Sequence, residues 1–154
     1  MTRFEVVAMG GTFDIIHRGH VALLGAAFAE SNKVIIGLTS DELAKKKGKK
    51  LHHIYTQRLE SLKQFIEKNF AGKSYLISKL ENDFGPAAIE GNVQALIVSD
   101  EMAHKVNVLN KLRAEKNLKP VQSVVVPMVL ASDGKRISTT RIRNAEIDTE
   151  GNLL

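Results

Sequence analysis

The chain has 154 residues, 44% of them hydrophobic and 25% charged, which suits one soluble globular domain with a core of its own. It contains no cysteine, so disulfides, thiolate nucleophiles and thiolate zinc sites are excluded, and the composition fits a reducing cytoplasm. A net charge of +5 favours anionic partners, while no apolar run reaches the length of a bilayer span.

The apolar run over residues 4–9 predicts a strand that ends at Gly10 and Gly11. Because it leads straight into a motif, it reads as a strand and not as a signal peptide. An Ala/Leu-rich helix follows from residue 19 to about residue 32, then a strand over 33–38 and a lysine-rich loop. Leu59, Leu62, Phe65, Ile66 and Phe70 lie at helical spacing and predict a helix over 56–70. A short strand is expected over 74–77, and Pro86 after Gly85 opens another helix. Next come a strand over 95–99, a polar helix from about 103 to 116, and a strand over 122–126 closed by Pro127. A final helix starts near Ser138.

Apolar strands alternating with helices predict a parallel sheet covered on both faces. The expected fold is α/β: a single Rossmann-like, doubly wound domain over residues 1–154 with a five-stranded parallel sheet. Such sheets bind ligands beyond the carboxyl ends of the strands, where strand order reverses. The chemically suggestive segments GGTFD, the lysine run and SDE follow the first, second and fourth strands.

The first motif is GGTFDIIHRGH, residues 10–20. Glycines allow a tight turn and close approach to a ligand. A helix beginning near Gly19 would aim its free N–H groups and dipole at the same place, and His17 and His20 add donors there. Together they suit a phosphate chain whose charge rises during reaction. A zinc site needs a third ligand, and neither His52-His53 nor His104 has an evident spacing for it. A general base is unnecessary if the nucleophile is an already ionised phosphate. A purely structural role for the histidines at a helix start is the weaker alternative.

The second motif is ISTTRIR, residues 137–143. Three hydroxyl residues in a row favour an N-cap, and Arg143 lies one turn beyond Thr139 and Thr140, placed to complete an anion site. Five lysines crowd the six residues 45–50. Nucleic-acid binding would want aromatics beside them, and only Tyr55 is near. A phosphorylated small molecule therefore ranks above nucleic acid or a membrane as partner. Neither a Walker A loop nor GxGxxG is present.

GTFDIIHRGH and ISTTRIR, in this order and far apart, resemble the HxGH nucleotidyltransferase α/β superfamily. Within it the chain is most similar to the phosphopantetheine adenylyltransferases of archaeal and eukaryotic type. These carry GGTFDxLHxGH, a lysine loop leading to a YxxR helix, a GPA segment and a tail resembling DGxxISSTRIRxGEID. This chain has YTQR at 55–58, GPA at 85–87 and DGKRISTTRIRNAEID at 133–148. It departs at Ile16 for Leu, Thr139 for Ser and Ala145 for Gly, and more loosely at Ser99-Asp100-Glu101-Met102.

The resemblance implies transfer of AMP from ATP to 4′-phosphopantetheine, with 3′-dephospho-CoA and pyrophosphate as products and CoA as a product-like ligand. It implies Mg²⁺ bound with the ATP phosphates and no protein metal ligands. It implies His20 on the α-phosphate with His17 as its companion, and Thr12 orienting the acceptor phosphate. A lysine of the run joins Thr12; counting back from Arg58 favours Lys50, with Lys49 next. Gly10, Gly11, Phe13, Ser99, Ser138, Thr139, Thr140 and Arg143 are expected around ATP, and Arg113 near the acceptor. The rivals are sister enzymes acting on FMN, glycerol-3-phosphate or nicotinamide mononucleotide, and a non-catalytic nucleotide- or nucleic-acid-binding module.

Overall fold

In a computed structural model the chain is described for residues 3–85, 91–127 and 129–154. β1 (Phe4–Gly11), β2 (Ser31–Thr39), β3 (Ser74–Leu80), β4 (Ala95–Ser99) and β5 (Gln122–Val126) form one sheet. Every pairing is parallel and the order is β3-β2-β1-β4-β5. The chain moves outward through β2 and β3, then returns to lay β4 on the other side of β1. The switch in strand order therefore lies between the carboxyl ends of β1 and β4.

β1, β2 and β4 carry continuous apolar runs because both of their faces are covered, whereas the edge strands β3 and β5 stay partly exposed. Val7 and Met9 of β1 pack with Leu24, Ala27 and Phe28 of α1 (Arg18–Glu30) and Leu62 and Ile66 of α3 (Tyr55–Asn69). Val6 and Ala8 face the other way, toward Val106 and Leu109 of α4 (Lys105–Glu115). Leu24, Leu62 and Leu109 have no exposed surface, so truncating any one to Ala costs about 2–5 kcal/mol.

α1 runs directly into β2, because Ser31 leaves helical geometry while its hydroxyl donates to the Ala27 carbonyl at 2.7 Å. The lysine loop expected after β2 begins instead as α2 (Asp41–Lys46). Ser40 caps it by accepting from the Leu43 N–H, Asp41 and Glu42 occupy its first turn, and Lys45 and Lys46 its last. This charge order suits the helix dipole. A single 3-10 turn (Asp100–Met102) separates β4 from α4. The helix expected to open at Gly85-Pro86 lies outside the described residues.

After β5, α5 (Thr139–Arg143) is followed by a tail that folds back. Bridges Leu130–Arg136 and Ile147–Leu153 close around a small core of Ala131, Ile137 and Ile147. The tail reaches α1: the Arg18 N–H donates to the Thr149 carbonyl at 3.2 Å, and the Ser132 N–H to the Gly151 carbonyl at 2.7 Å. Among the described residues no helix is long and apolar enough to cross a membrane.

Candidate active site

A cleft of about 700 Å³ opens above the carboxyl ends of β1, β4 and β5. Gly10, Gly11, Thr12, Phe13, His17, His20, Lys49, Lys50, Ser99, Ser138, Thr139, Thr140 and Arg143 all line it. Its floor is the turn after β1. A Cβ on Gly11 would stand 2.9 Å from the ring of Phe13, whose own backbone is left-handed at φ 50°. The Phe13 ring is buried and lies 4.7 Å from the His20 ring, between centroids.

The histidines are part of the α1 cap. The Gly19 N–H donates to His17 Nδ1 at 3.0 Å, and the His17 N–H to His20 Nδ1 at 3.2 Å, closing a reciprocal capping box. The rings stack at 4.0 Å with an interplanar angle of 27°. Gly19 is required by this fold-back, since a Cβ there would stand 2.8 Å from the His17 ring.

One expectation is corrected here. The early N–H groups of α1 are not free for a ligand, because the Thr149 carbonyl and the two imidazoles already take them. What the helix end presents instead is imidazole. Each ring accepts at Nδ1, so as a neutral group it carries its proton on Nε2. Both rings are neutral at pH 7. Burial, with Arg136 adding repulsion, lowers His17 to about 4. Burial, with His17 and Lys49 adding, lowers His20 to about 3. Two Nε2–H donors backed by helix N–H groups result.

Across the cleft the Lys49 ammonium donates to Thr12 Oγ1 at 3.0 Å. Burial holds its pKa below the usual lysine value, and Lys47, Lys105, Arg143 and Arg136 lower it further. Lys50 also lines the cleft, but its backbone carbonyl accepts from Arg143 Nη1. Lys49, and not the first-choice Lys50, is therefore the lysine that meets Thr12. Arg113 is a second correction. It is fully buried on α4, with Nε donating to the Lys119 carbonyl at 2.7 Å and Nη2 to that of Val93 at 3.4 Å. Both partners precede β-strands, so Arg113 sits at the amino end of the sheet, away from the cleft. Ser138 behaves as the capping reading required, its hydroxyl accepting from the Arg141 N–H at 3.2 Å. Thr139 Oγ1 leans on the Ile15 carbonyl at 3.4 Å.

Sequence reasoning gave no role to Asp14, Arg58, Arg136 or His52. Among the described residues that line the cleft, Asp14 is the one carboxylate, and it is nearly buried. Its oxygens accept from the His52 and His53 N–H groups, both at 3.0 Å, lie 3.1 Å from His53 Nδ1, and stand 3.6 Å from Arg143 Nε. Burial alone raises its pKa, but these hydrogen bonds outweigh it and keep it below the usual carboxylate value. Among the described residues no group of three or more His, Cys, Asp or Glu could hold a metal ion. A second cavity of about 180 Å³ shares Gly10, Gly11, Thr12, Lys49 and Ser99 with the cleft. Its remaining walls combine apolar side chains, including Ile35, Leu80, Phe84, Leu96 and Met102, with the charged Lys47, Asp83 and Lys105.

The family model described as cytidylyltransferase-like matches residues 8–145. A curated phosphopantetheine adenylyltransferase from Pyrococcus horikoshii is 41% identical over 155 residues, covering 99% of this chain and 96% of its own. One from Methanosarcina barkeri is 42% identical over 152 residues, covering 96% and 91%. The crystal structure of a protein of unknown function from Archaeoglobus fulgidus superposes with a TM-score of 0.69 at 27% identity, over 80% of this chain and 89% of that one. With its parallel sheet, its cleft at the strand switch and these relatives along nearly its whole length, the chain belongs to the cytidylyltransferase-like family and, within it, to the archaeal phosphopantetheine adenylyltransferases.

Proposed function

We propose that this protein transfers AMP from ATP to 4′-phosphopantetheine, giving 3′-dephospho-CoA and pyrophosphate in cytoplasmic coenzyme A synthesis. The observation that carries the reading is the join between the two cavities at Thr12 and Lys49. A phosphate held there can face a nucleotide in the larger cleft while an uncharged arm with amide groups extends into the smaller cavity, whose walls are apolar with a few charged side chains. Phosphopantetheine has that shape. Glycerol-3-phosphate lacks the arm.

An oxygen of the acceptor phosphate attacks the α-phosphorus in line as the bond to the β-phosphate oxygen breaks, and pyrophosphate leaves. The attacking oxygen is already ionised, so no side chain takes a proton. Lys49 and Thr12 orient it. His17 and His20 donate Nε2–H bonds to the oxygens gaining charge at the α-phosphorus. Because the rings are neutral, they act as dipoles and not as ions, in the manner of an imidazole held neutral by a helix end. Gly10, Gly11, Phe13 and Ser99 border the nucleoside side. Thr139, Thr140, Arg143 and the newly found Arg136 face the leaving pyrophosphate. Magnesium, arriving with the nucleotide, would offset triphosphate charge and would ask few ligands of the protein. This fits Asp14, the carboxylate among the described cleft residues, which already accepts protein N–H groups. Dephospho-CoA and CoA fit the same two cavities in this reading.

The test is pyrophosphate release with ATP or CTP against 4′-phosphopantetheine, FMN, glycerol-3-phosphate and nicotinamide mononucleotide. Turnover is expected only with ATP and phosphopantetheine. Turnover of FMN but not phosphopantetheine would replace the acceptor, and ATP binding without turnover of any acceptor would leave a binding module.

A further inference from the structure

The lysine segment between α2 and α3 stands on two feet, and one buried side chain holds both. Arg58, on the first turns of α3, is 1% exposed. Its Nη2 donates to Asp41 Oδ1 at 2.8 Å, at the upstream foot where α2 begins. Its Nε donates to the His53 carbonyl at 3.1 Å, at the downstream foot. Its Nη1 donates to the Thr12 carbonyl at 2.9 Å and to the Thr39 carbonyl at 2.7 Å. Four hydrogen bonds from one rigid planar fork thus join the turn after β1, the end of β2, the start of α2 and the approach to α3.

The Lys49 ammonium is carried between those feet. Its backbone N–H donates to the Ala44 carbonyl at 3.0 Å, so its position follows α2. Its partner is the hydroxyl of Thr12, whose own carbonyl Arg58 holds. Asp14 grips the downstream foot from the other side, through the His52 and His53 N–H groups. Burying a guanidinium is costly unless every donor is used. Hydrophobic packing alone would have filled this place with a leucine, as it does one turn further along α3 at Leu62. The arrangement instead keeps a charged fork where only a fork can span all four acceptors.

We propose that Arg58 is a positioning residue: by fixing both feet of the lysine segment and the Thr12 peptide, it sets where the Lys49 ammonium stands relative to the Thr12 hydroxyl. This rests on the reading that Lys49 and Thr12 receive the acceptor phosphate. Arg58 does not touch substrate and acts through Lys49.

A double-mutant cycle tests the claim. Arg58→Lys and Asp41→Asn are each made in the natural chain and in Lys49→Met. In the natural chain each is expected to lower kcat/KM for 4′-phosphopantetheine by roughly tenfold or more, with KM for ATP changed by less than about twofold. In the Lys49→Met background the same changes should cost less than about twofold further. Equal losses in both backgrounds would show a merely structural role and overturn the proposal. Asp41 is half exposed, so Asp41→Asn decides the matter if Arg58→Lys does not fold. A second readout needs no turnover: the NMR titration of ¹³C-dimethylated Lys49, assigned by its loss in Lys49→Arg. Asp41→Asn should move that titration toward the ordinary lysine range, and an unmoved resonance counts against positioning. Absence of turnover by the natural chain would defeat the reaction reading, while the titration would still decide the role of Arg58.

Discussion

Replacing His20 by Gln separates its role in the fold from its charge. Gln at the third residue of a helix can take over the capping bond, and this chain already shows it: Gln57 Oε1 accepts from the Ile54 N–H at 3.1 Å at the start of α3. His20→Gln should therefore keep α1 capped and the protein folded at pH 7. The difference appears on acidification. The folded His20 has a pKa of about 3 and the unfolded one about 6.5, so between those values the unfolded state holds a proton that the folded state lacks. Stability from this site is complete above pH 6.5 and is lost as pH falls through 6.5 toward 3. At pH 5 the loss is about 2 kcal/mol. His17, lowered to about 4, adds about 2 kcal/mol more. Urea unfolding at pH 7 and pH 5 reads this directly. The natural chain should lose about 2 kcal/mol more than His20→Gln over that interval, a midpoint difference of roughly 1 M. Equal losses would mean that His20 titrates normally in the fold, and the neutral-donor account of the site would fall with it.

Lys49→Met should reduce kcat/KM for the acceptor at least about tenfold more than Lys50→Met does, as measured by steady-state pyrophosphate release. Gly19→Ala should gain none of the roughly 1 kcal/mol that alanine brings inside a helix, because its Cβ meets the His17 ring; turnover should fall sharply with α1 still formed by circular dichroism. Arg113→Met should leave KM for both substrates unchanged, while urea denaturation shows a loss of roughly 1–3 kcal/mol for each carbonyl it orphans.

The central strands were legible because a strand buried on both faces needs an unbroken apolar run, and the runs ending at Gly11 and Ser99 carried that signal. The location of the site was legible too, since each suggestive segment follows a strand. α2 was hidden by its own lysines: the run looks like a solvated loop, and the Ser40 cap with Asp41 and Glu42 behind it was the clue. Which of the two expected lysines reaches Thr12 was not legible, for a geometric reason. Counting back from Arg58 assumes helical periodicity, but the chain leaves the helix after Lys46, and Gly48 is left-handed at φ 72°. Arg113 and Arg58 illustrate a general blindness. A buried arginine and a ligand-binding one look alike in sequence, and only long-range partners, such as the Val93 carbonyl or the Thr12 carbonyl, tell them apart. Asp14 was quoted inside its motif, yet its partners lie 38 and 39 residues away.

The bond from Arg18 to Thr149 spans most of the chain. It clasps the first turn of α1, on which the His17–His20 pair is built, to a segment far along the chain. Thr149→Pro keeps that carbonyl but rigidifies the strap that presents it, so hydrogen exchange at the Arg18 amide reports directly how firmly the tail holds the histidine end of the helix.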